Sequence, residues 1–92
     1  MPYIDQPSRD GFIEVEEALE DVGIHTAGEL QFIIAIAIAE YMHDKKFCYQ
    51  TMNDIMGALN GANLEFYRRV VAPYEDKAIA KKGDIENYAR ED

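Results

Sequence analysis

Ninety-two residues with 48% apolar content make one globular domain, since a disordered chain carries fewer apolar groups. The net charge is −9, which excludes generic DNA or RNA binding, because that needs a basic field over the phosphates. A domain this short buries only about 60–65% of the surface its unfolded chain exposes, so its core is thin and a partner copy is a common remedy.

Residues 1–7 read as an arm broken by Pro2 and Pro7, with Tyr3 and Ile4 as its apolar contacts. Nothing in the opening Met1-Pro2-Tyr3-Ile4-Asp5 has the basic and apolar regions of a signal peptide. A first helix is expected from Arg9 to Asp21 with Ser8 as N-cap. Phe12, Ile13, Val15 and Leu19 give it an apolar face, while Glu14, Glu16, Glu17, Glu20 and Asp21 face water. Its acids oppose the dipole at the C-terminal end, Gly11 weakens it, and Gly23 stops it.

Thr26-Ala27-Gly28-Glu29 matches a capping box, and a second helix is expected from there to Asp44. The Ile/Ala alternation from Ile34 to Ala39 competes as a strand, but the cap, the alanines and the length favour a helix. As a helix it is apolar almost all round, which demands cover on every side. A chain this small cannot supply that cover, so an oligomer built around this helix is expected. The apolar run from Phe32 to Ala39 is far short of the roughly 20 residues a membrane span needs.

Lys45–Gln50 is expected as a turn with Phe47 and Tyr49 tucked beneath it. A third helix is expected from Thr51, with Met52, Ile55, Met56, Leu59, Ala62, Phe66 and Val70 at helical spacing. Gly57 and Gly61 imply close approach of another backbone, most simply the second helix. Pro73 ends or kinks this helix; Tyr74–Lys82 continues as a helical segment closed by Gly83, and 84–92 is a frayed tail where Ile85 and Tyr88 can dock. The expected fold is therefore all-α. It is a three-helix domain, a hairpin of two long helices plus a shorter acidic one, kinked at Pro73 and oligomerising through the second helix.

No catalytic constellation stands out. His25 and His43 lack ligand partners at helical spacing, so no metal is expected. Cys48, the single cysteine, permits no internal disulfide, which fits a cytoplasmic protein; Lys45 and Lys46 beside it are candidates to lower its pKa. No dinucleotide or phosphate-loop fingerprint is present, so no cofactor is expected. The densest chemistry is the stretch from Glu65 to Lys77. Arg68 and Arg69 offer planar forks for phosphate, and Tyr67 and Tyr74 offer stacking faces. With Lys77 and the arm's Tyr3 they form a candidate site for a small nucleotide-like ligand. The competing reading is an ion network of Glu65, Glu75 or Asp76 with the two arginines.

Met1-Pro2-Tyr3-Ile4, Gly28-Glu29-Leu30, Leu64 to Lys77 and Gly83-Asp84 together resemble a family of short uncharacterised proteins encoded by phages and bacteria. The resemblance spans most of the chain. It implies a phage or bacterial origin, hence a host cytoplasm, and carries over no catalytic residue. The functional expectation is a non-enzymatic, homo-oligomeric protein that sequesters a phosphorylated immune signal. The alternative is an interaction module whose acidic first helix meets a basic host protein. No membrane partner is expected.

Overall fold

Asp5 opens the helical chain: its carboxylate accepts the Ser8 backbone N–H at 3.0 Å, and Pro7 fits the first turn, where its missing N–H costs nothing. The resulting short helix α1 spans Gln6–Asp10. A computed structural model describes residues 3–89 of the chain; Pro2 lies outside them. Ser8 is thus inside a helix rather than capping one, because the aspartate three residues earlier takes the cap. Gly11 and Phe12 separate α1 from α2, Ile13–Val22, so the expected single first helix is two. Gly23 ends α2 at φ 75°, a conformation that favours glycine.

Helix α3 spans Ala27–Met42, and both arms of the capping box are present: Glu29 N–H donates to Thr26 Oγ1 at 3.1 Å, and Thr26 N–H donates to Glu29 Oε1 at 3.2 Å. Helix α4 spans Tyr49–Phe66 and starts two residues earlier than expected, with Cys48 at the N-cap. Thr51 does not cap it. Its hydroxyl donates back to the Lys46 carbonyl at 2.8 Å and is buried, closing the turn between the helices. Phe47 and Tyr49 are not tucked under that turn; they are 74% and 77% exposed, because Thr51 already occupies the inside of it.

Pro73 does not end the helix. In a straight α-helix its ring would strike the Arg69 carbonyl. The chain instead widens into a π-turn, Tyr67–Val71, with the Ala72 N–H reaching back five residues to the Tyr67 carbonyl. Helix α5, Ala72–Lys82, continues directly from it and stops at Gly83, φ 96°. Glu86–Tyr88 forms a 3₁₀ turn, and Ile85 and Tyr88 line a shallow cleft along α5.

These helices enclose no core. Among the described residues no apolar side chain is buried, and Thr51 is the one buried residue. The radius of gyration is 17.9 Å, against about 12 Å for a compact domain of this length. The close backbone approach expected at Gly57 is not made within the chain, since a Cβ there would meet nothing within 4 Å. The chain is all-α: Asp5 caps α1, the Thr26–Glu29 box caps α3, Gly23 and Gly83 stop α2 and α5, and the apolar faces of the described helices lie open.

Candidate functional site

The arm is held by its own first helix. The Arg9 guanidinium Nε donates to the Ile4 carbonyl at 2.7 Å, and the Asp5 cap fixes the next turn. Ser8, through its side chain and then its backbone N–H, holds the Asp5 carboxyl below the usual range. This places Tyr3 across the C-terminal end of α4, 62 residues away in sequence. The Tyr3 hydroxyl donates to Glu65 Oε1 at 2.8 Å and accepts from Arg69 at 3.1 Å. Arg68 donates to the same Glu65 oxygen at 2.5 Å, while Arg69 stands 4.0 Å from it.

Glu65 is the hub. Its side chain is only 15% exposed, and the Tyr3 hydrogen bond, then that of Arg68, holds its carboxyl below the usual value. The expected pairing of Glu65 with both arginines is therefore present. Pairing of Glu75 or Asp76 with them across the proline is absent among the described residues. The π-turn explains this: one extra residue per turn changes the facing of everything after Val71.

Of the candidate ligand residues, the structure brings together Tyr3, Arg68 and Arg69. Tyr67 lines the separate cleft along α5, with Ile79, Lys82 and Tyr88. Tyr74 is exposed, and neither it nor Lys77 makes a hydrogen bond or ion pair with the cluster among the described residues. Two guanidiniums share one carboxylate, so the cluster is locally positive on a chain of net charge −9. The Arg68 and Arg69 side chains are 66% and 59% exposed, and each guanidinium carries five N–H donors, most of them facing solvent. Such forks suit an oxyanion with two or more acceptor oxygens.

Elsewhere the chemistry is sparse. Among the described residues no three metal-ligating side chains cluster together. The Cys48 thiol is held below its ordinary value by the Thr51 hydroxyl and then the Thr51 backbone, not by Lys45 and Lys46 as expected. Lys45 turns instead to Tyr41, its Nζ 4.1 Å from the ring centre and donating to that residue's carbonyl. The five acids of α2 are exposed and make no ion pair among the described residues. No helix is long and apolar enough to cross a membrane among the described residues.

The chain belongs to the family described as Domain of unknown function (DUF6899), whose profile matches residues 1–85. No curated protein and no solved structure matches it.

Proposed function

We propose that the chain is a non-enzymatic, oligomeric binding protein that sequesters a small phosphorylated, nucleotide-like ligand at Tyr3, Arg68 and Arg69. The observation that carries this is the two-to-one ratio of guanidinium to carboxylate at the end of α4, exposed on an otherwise acidic chain. A phosphate placed there meets two forks and a phenol, and Glu65 keeps the forks apart and oriented. Tyr67, Tyr74 and Lys77 join such a site only if a ligand or another subunit draws them in. That no apolar side chain is buried among the described residues supports the oligomeric part of the reading. In a phage setting the ligand is a nucleotide immune signal of the host, captured and withheld.

The test is isothermal titration of the full chain with a panel of cyclic dinucleotides and cyclic ADP-ribose isomers. Binding without turnover, lost in Arg68→Ala/Arg69→Ala with the helical signal retained, supports sequestration. Equal affinity in that variant rules the site out. A second reading, an interaction module for a basic host protein, draws on the exposed acids of α2. Reversal of Glu14, Glu17 and Glu20 to Lys removes a salt-sensitive complex on that reading and leaves ligand binding unchanged on the first.

A further inference from the structure

The α3–α4 hairpin is joined at its turn and open beyond it. Near the turn the Tyr41 hydroxyl donates to Asp54 at 3.4 Å. From there Ile34, Ile38, Ile55, Leu59 and Ala62 line a groove of about 450 Å³. Two helices packed directly on each other sit about 8–10 Å apart and interdigitate their side chains, leaving no such space. The lining is aliphatic apart from Tyr41 and Asp54 at one end and carries no cation. It therefore disfavours a phosphorylated ligand and favours apolar side chains.

Area decides the occupant. The chain exposes 8543 Å², against about 5,400 Å² for a compact monomer of this size, an excess of about 3,100 Å². No small molecule in a groove of this volume covers that. Obligate interfaces bury about 2,000–5,000 Å² in total, or roughly 1,000–2,500 Å² from each chain. The excess meets that requirement and surpasses it. With no buried apolar side chain among the described residues, the chain has little to keep it folded while a different protein arrives, whereas a second copy is present wherever the first is made.

We infer that the groove between α3 and α4 seats an apolar helical surface of a second copy of this chain, and that the helices hold their places only in that assembly. This deepens the oligomeric reading above and rests on it. Helix α3 also carries a matching ridge. At about 100° per residue, Phe32 and Ile36 lie on the side opposite Ile34 and Ile38, and they are 65% and 50% exposed. A groove and a ridge on opposite sides of one helix allow each copy to meet two others. That accounts for an excess area larger than one interface uses.

The experiment compares full-length chains by native mass spectrometry and far-ultraviolet circular dichroism. The wild type is expected as an oligomer, and its helical signal falls together with oligomer mass on hundredfold dilution. Ile38→Glu is expected to lose assembly and at least half of the helical signal, while Leu59→Met, which keeps the apolar volume, retains both. Arg68→Ala/Arg69→Ala is expected to assemble as the wild type does. A fully helical wild-type monomer, or an Ile38→Glu chain of wild-type assembly size, overturns the inference. An assembled wild type that binds no nucleotide of the panel defeats the ligand reading and leaves the assembly standing; a monomer that binds one does the reverse.

Discussion

The open seam of α3 and α4 and the polar knot at Glu65 lie one helical turn apart, yet one is finished and the other is not. At the knot, Tyr3 and Arg68 donate to a nearly covered carboxylate from within the chain, and Arg69 donates to the Tyr3 hydroxyl. Among the described residues no buried side-chain polar atom lacks a partner. At the seam, Ile34, Leu59 and their neighbours line a groove open to solvent. The difference teaches that hydrogen bonds can be closed locally by caps, turns and an arm, while apolar burial needs volume that ninety-two residues arranged this way do not enclose. A fully buried Ile or Leu contributes about 1.5–3 kcal/mol, and among the described residues no Ile or Leu of the single chain collects that in full.

That contrast breaks most sharply at the seam. Ile38→Ala and Ile55→Ala should each cost about 2–5 kcal/mol if a second copy fills the groove, as for any core truncation. Chemical denaturation at fixed chain concentration reads the loss. Costs within a few tenths of a kcal/mol would mean that the seam stays wet. The next largest effect is at the turn that starts the hairpin. Thr51→Val keeps the shape but removes the donor to the Lys46 carbonyl, and should cost about 1 kcal/mol in thermal unfolding.

The knot should respond to pH in the direction its carboxylate sets. Glu65 is held below its ordinary value, so its stabilising contribution is complete above the usual carboxylate range. It is lost as pH falls through the lowered folded value. Tyr3→Phe removes the largest cause of that lowering, so the Glu65 carboxyl, followed by NMR, should titrate at higher pH than in the wild type. An unmoved titration would show that the arm does not hold Glu65. Smallest is Gly57→Ala, whose Cβ meets nothing in one chain. It should raise stability by up to about 1 kcal/mol through helix propensity. A loss instead would place another copy's backbone against α4.

Much of the local structure was legible because its causes are local. Thr26 and Glu29 are three residues apart and announce α3, and Gly23 and Gly83 mark stops that their positive φ angles confirm. The cap at Cys48 was hidden because a neighbouring threonine is the stronger cap former, and its preference for the Lys46 carbonyl is not visible in spacing. The π-turn was hidden in the same way. Pro73 signals a disturbed ladder, but whether the helix breaks there or widens to clear the ring is not set by the proline alone. The candidate site was half legible. Glu65 with Arg68 and Arg69 is an ordinary helical spacing, while Tyr3 reaches them across 62 residues, a separation no local pattern encodes. A helix apolar all round, such as α3, needs cover that its sequence already announces, and the exposed Met52, Met56 and Leu64 put the same demand on α4.

The most direct test of this account is the unfolding temperature of the wild-type chain measured over a hundredfold range of concentration. If folding and self-association are one event, the temperature rises with concentration, by mass action. An unfolding temperature that stays the same across the range, with a monomer at every point, would contradict the account.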